Sequence, residues 1–391
     1  MKQFCLLLAI TMITAAAVAQ TASPITAWDV QPSIAPNGTQ MAGAAAVGDS
    51  LYLLGGNNTL VGDTNSVWRL RLDPTSGLIT ATDVVTTLPS VTFAYISSQV
   101  KATTNTATAT TGTIIVAGGG YNAGGPNRNS ASAINTNPDG TLAAAWTEYT
   151  FPSPYDPELG AAAIAGSSSP SGDRFFYAFG GDSQSGTPPL YDTTVFAKIN
   201  KNGTLGAFSA GATLPDVDAT GPTGWYFPAA TAINNTIIAS AGIHSAITNA
   251  NASAKIYLNT VNATTGAMGA WTAGPDLPLT IYGTQLVAAG NTVFALGGRT
   301  TGGAVQSLTT RAEFNTATNT LGAWSATPDL DLPDEVYYHA AVYSDYTKRI
   351  HIVSIRRDDT TRTVSNEQWV SSRLFAQPAG PAAAADWVLF N

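Results

Sequence analysis

Short apolar runs that end in small residues recur along the chain: LYLLGG (51–56), IIVAGGG (114–120), FYAFGG (176–181), IIASAG (237–242) and VFALGG (293–298), with a weaker sixth copy, RIHIVSI (349–355). Four to six apolar residues bounded by glycine suit a buried strand better than a helix. Gly56, Gly119, Gly181, Gly242 and Gly298 fall 63, 62, 61 and 56 residues apart. A small-residue segment precedes each run, as in AAAVG (44–48), AAAIAG (161–166) and LVAAG (286–290). A third segment follows, such as SVWRLRL (66–72), TVFAKIN (194–200) or AKIYLNT (254–260). Next come turn residues (DPTSG at 73–77, NPDG at 137–140, NKNG at 200–203) and a motif of the form Gly-x-Leu-x-Ala-aromatic. Its copies are GTLAAAW (140–146), GTLGAF (203–208), GAMGAW (266–271) and NTLGAW (319–324), with GLITAT (77–82) degenerate. Four strands in every 60 or so residues, repeated through the chain, predict an all-β propeller of four-stranded antiparallel blades.

The period predicts six blades, since about 370 residues follow residue 19 and six second-strand motifs are present. The fourth-strand aromatic position occurs seven times, at Trp28, Thr82, Trp146, Phe208, Trp271, Trp324 and Trp387. One surplus outer strand is what ring closure requires. The strand around Trp28 is the expected closing piece, completing the blade that the C-terminal part of the chain begins; closure around Trp387 is the alternative. The Gly-Gly pairs are read as structural, placed where a side chain would collide near a narrow axis. The aromatic residues are read as packing between neighbouring sheets. Gly-Gly runs followed by an aromatic residue and a Trp, with Leu-Pro pairs at Leu88-Pro89, Leu214-Pro215, Leu277-Pro278 and Leu332-Pro333, resemble the kelch-repeat β-propellers, in particular a secreted kelch-like subgroup. That resemblance covers almost everything after residue 25 and implies the fold far more than any activity.

Composition adds a compartment and removes several functions. Residues 1–19, MKQFCLLLAITMITAAAVA, carry a Lys near the start, an apolar run and a small-x-small ending, the pattern of a cleaved secretory signal. The propeller is therefore expected over 20–391 and the protein outside the cytoplasm, secreted, extracellular or periplasmic, with no membrane insertion. The single cysteine, Cys5, lies in that leader, so the mature chain has no disulfide, thiol nucleophile or thiolate metal site. Charged residues are 11% of the 391, against a usual share of about 25%. With 17 Lys and Arg against 25 Asp and Glu, net charge −8, there is no basic face for nucleic acid. Six Asn-x-Ser/Thr sites match what so Asn- and Thr-rich a chain contains by composition alone, so they say nothing about glycosylation.

Candidate chemistry falls on one face. In a meander blade the crossovers into the first strand and the loops after the second emerge together around the channel mouth. Aligning the crossovers places Tyr95, Tyr226, Tyr282 and Tyr337 in one column, beside Trp225, Tyr338 and His339. The facing loops hold Asn57, Tyr121, Asp182, His244, Arg299 and Arg356. A Tyr rim can stack on a sugar and hydrogen-bond its hydroxyls, and Arg299 can clamp a carboxylate; equally, the rings can fill the wedges between blades. The histidines His244, His339 and His351 lack metal-ligand spacing, and no phosphate loop or nucleophile elbow occurs, so neither metal nor cofactor is expected. The resemblance brings two enzymes to mind. Galactose oxidase shares the propeller, but its radical copper site needs a cysteine. The sialic-acid mutarotases imply a carboxylate acid/base with an Arg, for which Glu158 or Glu335 with Arg299 are the candidates. The chain is thus read as a monomeric binding or scaffold module for a glycan or protein, the alternatives being a carbohydrate-active epimerase or lyase, or a surface protein with no small ligand.

Overall fold

The structure, a computed structural model, describes residues 20–31, 41–58, 62–89, 99–104, 111–119, 129–155, 157–167, 172–182, 190–217, 224–244, 249–356, 364–365 and 367–376. Six four-stranded antiparallel sheets form a six-bladed β-propeller. Blade one is Gly43–Val47, Ser50–Leu54, Ser66–Leu72 and Ile79–Thr87. Blade two is Val100–Thr104, Gly112–Ala117, Ser130–Asn135 and Thr147–Thr150, and blade three is Ala161–Gly166, Arg174–Phe179, Thr194–Ile199 and Ser209–Ala210. Blade four is Ala229–Ile233, Thr236–Ser240, Ile256–Val261 and Met268–Ala273, and blade five is Gln285–Ala289, Thr292–Leu296, Thr309–Asn315 and Thr320–Leu321. Blade six takes Ala340–Ser344, Arg349–Val353 and Gln368–Ser371 from the C-terminal side and its outer strand, Trp28–Gln31, from the N-terminus. Trp28 pairs with Ser371 and Gln31 with Gln368, so the N-terminal strand closes the ring. Trp387 lies outside the described residues.

Each innermost strand touches the innermost strands of the blades on either side, from blade one round to blade six and back. Crowding there explains the small residues: Ala161, Ala162 and Ala163 in blade three and Ala229 and Ala230 in blade four are buried. Strand alternation sends successive side chains to opposite faces of each sheet. Ala161 and Ala163 accordingly join the apolar wedge toward blade four, while Ala162 joins the wedge toward blade two. Six such wedges separate the six blades. The largest buried side chains, including Trp225, Trp369, Tyr177 and Phe294, fill their wider parts, each contributing about 1.5–3 kcal/mol or more. The repeat Trp residues sit half-buried at the rim, and three of them tie blades together through their indole N–H groups, while the Trp271 N–H has no partner. Trp146 donates to Thr87 O (3.0 Å), Trp324 to Pro275 O (3.0 Å) and Trp28 to Leu330 O (3.1 Å), each in the preceding blade.

The turn between the third and fourth strands does more than reverse the chain. Its glycine seats against the two middle strands of the preceding blade. Tyr52 of blade one donates its hydroxyl to Gly140 O of blade two (2.6 Å), and Tyr177 of blade three to Gly266 O of blade four (2.8 Å). Asn135 of blade two donates to Asn202 O beside Gly203 of blade three (2.8 Å). Arg69 is held by Asp83 in its own blade (2.8 and 3.2 Å) and donates to Asp139 O of blade two (3.1 Å).

At the junction of blades five and six that turn is missing, because the outer strand arrives from the other end of the chain. Residues 20–27 take its place. Ala22 N donates to Thr292 Oγ1 (2.9 Å), Ser23 N to Leu374 O (2.8 Å) and Ile25 N to the buried carboxylate of Asp329 (2.7 Å). Arg311, buried over the Phe294 ring at 5.2 Å, donates to Ala22 O and pairs with Asp329 and Glu313. Burial raises the Asp329 carboxyl above its ordinary pKa, and the Ile25 amide and Arg311 work against that rise.

Two outcomes follow for denaturant unfolding. Gly203 has φ +83°, and a Cβ there would collide with Asn135 and Thr113. Gly203→Ala should therefore cost about 2 kcal/mol or more, while Gly206→Ala, whose Cβ meets nothing nearer than 3.7 Å, should cost much less. Ile25 is fully buried and Val30 is 48% exposed, so Ile25→Ala should lose about 2–5 kcal/mol and Val30→Ala should stay within about 0.5 kcal/mol of wild type.

Candidate functional site

The face where crossovers enter the inner strands carries a second, smaller layer of pairing. The residues just before each inner strand bond to those just after the second strand. Trp225–Tyr226 pairs with Ile243–His244, and Ile281–Tyr282 with Arg299–Thr300. Glu158 bridges Asp182, and Tyr337 bridges Arg356. The Tyr column therefore contains Tyr226, Tyr282 and Tyr337 in blades four, five and six, and Glu158 occupies the same place in blade three. Tyr95 and Tyr121 lie outside the described residues.

The next residue along is one that sequence reasoning singled out only in blade six, as Tyr338. Met41, Leu159, Phe227, Gly283 and Tyr338 each stand two residues before their inner strand, and all have φ between +51° and +62°. Side chains other than glycine rarely adopt this conformation, which costs of the order of 1–3 kcal/mol per residue. Here it turns the backbone so that the residue points inward. Met41 N donates to Tyr338 O (2.9 Å) and Phe227 N to Leu159 O (3.0 Å), linking neighbouring blades around the axis. Met41, Leu159, Phe227 and Tyr282 form one buried cluster with Ile243 and Ala252, and Tyr226 and Tyr338 pack on it. Residues from blades one, three, four, five and six meet this way only at the axis, so the cluster floors the channel mouth. Gly283 leaves room for the Tyr338 ring, which a Cβ there would touch at 3.2 Å.

Aromatic and cationic groups are layered on this floor. Tyr338 stacks on Phe227 with centroids 4.5 Å apart and planes at 27°, and Tyr226 meets Phe227 edge-on at 4.3 Å. Arg356 lies over Tyr337 at 4.8 Å and Tyr338 at 5.5 Å, and Arg299 over Tyr337 at 5.6 Å. Arg299 Nε donates to Gly303 O (2.9 Å), which fixes its stem and directs the guanidinium over the ring. Burial raises the Tyr338 hydroxyl well above the ordinary phenol value, with Tyr282 and Tyr337 adding to the rise and the two arginines opposing it. The phenol is therefore a neutral donor at any physiological pH.

The other candidates take distinct places. Tyr282 and Tyr337 are buried, while Tyr226, Tyr338, His244, Arg299 and Glu158 are half-buried and reach solvent. Asp182 is buried and Glu335 exposed, beyond the floor in the crossover into blade six. His339 is fully buried with neither ring nitrogen hydrogen-bonded, and a Cβ on Gly297 of blade five would lie 3.0 Å from its Cε1. His351 is also fully buried, but its nitrogens meet Gln368 (2.7 Å) and Thr347 (2.8 Å). Burial pushes both imidazoles down to about 3, with Arg349 adding to the effect at His351. Among the described residues no three His, Cys, Asp or Glu side chains gather closely enough to hold a metal ion, and no helix is long and apolar enough to cross a membrane. No protein-family model matches the sequence, and no curated protein matches it.

The two histidines give the fold an acid dependence whose sign is fixed. Their pKa is about 6.5 in the unfolded chain and about 3 in the folded one. The unfolded chain then takes up protons first as pH falls below about 6.5, and each histidine removes about 1.4 kcal/mol of stability per pH unit until its folded pKa is reached. His339→Leu, which deletes an imidazole without hydrogen bonds, should keep or raise stability at pH 7. It should also lower the slope of stability against pH between 6 and 5 by about 1.4 kcal/mol per unit, as read by urea unfolding.

Proposed function

We propose that this protein is a secreted, kelch-type β-propeller that works as a binding module, taking a glycan on the floored face of its ring. The observation that carries this reading is the layer of Phe227, Tyr226 and Tyr338 rings flanked by Arg299, with His244 and Glu158 at its margin. A sugar presents an apolar C–H face and a rim of hydroxyls. Aromatic rings suit the first, and half-buried polar side chains suit the second. A ligand on this layer lies across the face, over the apolar cluster at the axis. The half-buried side chains come from blades three to six, so one flat ligand can span several blades. The leader-like residues 1–19 support export, where extracellular glycans are met.

A glycan array probed with the protein lacking residues 1–19 should give a discrete set of binders. Tyr226→Ala and Arg299→Ala should each weaken binding about tenfold or more, as expected for central aromatic and arginine contacts. Glu335→Gln, away from the floor, should leave it unchanged. Absence of binding to any carbohydrate, or equal binding by all three variants, would overturn the reading.

A further inference from the structure

The N-terminal segment that replaces the missing turn between blades five and six is seated from Gln20 onward. The Gln20 carbonyl accepts the Asn291 N–H (2.9 Å) in the turn between the first two strands of blade five. That turn has room for it because residue 290 is glycine: φ is +59°, and a Cβ there would collide with the Gln20 carbonyl and the Phe375 ring. Two residues on, Ala22 is buried, with its N–H on Thr292 Oγ1 and its carbonyl on Arg311. Gln20 itself is exposed; what the fold holds is its carbonyl. The small-x-small sequence Ala17-Val18-Ala19 places leader removal at the bond just before this same residue. Two independent features, a processing signal in the leader and a seat in blade five, thus meet at Gln20. Cleavage there leaves an N-terminal glutamine, the one residue whose side-chain amide can close a five-membered ring on its own α-nitrogen.

We propose that Gln20 is a modification site: once the leader is removed it becomes pyroglutamate, and the mature protein has no free α-amine. An α-ammonium has a pKa of only about 7.7–8.0, so the neutral amine is available near pH 7. It attacks Cδ of its own side chain. The N–Cδ bond forms, the Cδ–Nε2 bond breaks, and Nε2 leaves as ammonia with one proton from the amine. No oxidant or co-substrate is needed. The carbonyl held by Asn291 takes no part, so the ring forms without disturbing the seat. The consequence falls on ring closure. An aminopeptidase working inward from a free Gln20 would remove the Asn291 bond first and the Ala22 anchor soon after. A lactam has no terminal amine for such an enzyme to bind. This inference rests on reading residues 1–19 as a cleaved leader and is independent of glycan binding.

The test is intact-mass and N-terminal peptide analysis of the full chain, expressed with its own leader in a secreting host and collected from the exported fraction. The protein should begin at residue 20 and be lighter than its sequence by one ammonia. Gln20→Asn, whose shorter side chain cannot form the ring, should begin at the same residue with its full mass. A general aminopeptidase should shorten Gln20→Asn and spare the wild type until a pyroglutamate-specific peptidase has removed the ring. An exported chain that begins at Gln20 with an unmodified amine overturns the proposal and leaves leader cleavage standing. A chain that keeps residues 1–19, or begins elsewhere, overturns the proposal together with the cleavage it rests on. Wild-type protein trimmed as fast as Gln20→Asn overturns the protective role.

Discussion

A closed ring of twisted sheets leaves little room at its axis and much at its rim, and nearly every feature of this chain answers that geometry. Six innermost strands must approach one another, so they are built mainly from alanine and other small residues. The wedges between blades widen outward, so Phe, Tyr and Trp collect there. Radial packing also means that each blade is stabilised chiefly through its two neighbours. The hydrogen bonds that cross between blades, from Tyr52, Tyr177, Asn135 and the rim tryptophans, are therefore the contacts that fix the angle from one blade to the next.

The same geometry accounts for the candidate site. Where the inner strands begin, the chain must turn from the crossover into the ring. It does so through a left-handed residue in five blades. Placing bulky side chains in that strained conformation gathers Met41, Leu159, Phe227 and Tyr338 into one cluster. The strain is local, while the compensation is spread over aromatic stacking and links between blades. Tyr282 and Tyr337 are buried, leaving Tyr226, Tyr338 and Arg299 to meet solvent.

The architecture was legible because it is written six times. Gly-Gly runs, turn glycines and rim aromatics each repeat at nearly constant spacing, and the surplus Trp28 pointed to the closing strand. The fourth strands were less regular than the motif suggests. In blade four Trp271 falls within Met268–Ala273, and in blade five Thr320–Leu321 precedes Trp324, because outer strands have one open edge and little to fix their length. The floor was not legible. Met41, Leu159, Phe227 and Tyr338 share no residue type, only a backbone angle, and composition does not encode φ. His339 looked like a surface candidate beside Tyr338, but one step along the chain carries it into the wedge against Gly297.

Closure by the N-terminal strand has a consequence for how the chain is made. Thr26 N bonds to Ser372 Oγ across 346 residues, so this strand, made before the six blades, waits for the sheet it completes. Until it docks, Gln368–Ser371 presents an open sheet edge, and residues 20–27 have no groove to fill. An open edge of this kind is a template for any extended strand, and docking of Trp28–Gln31 removes it.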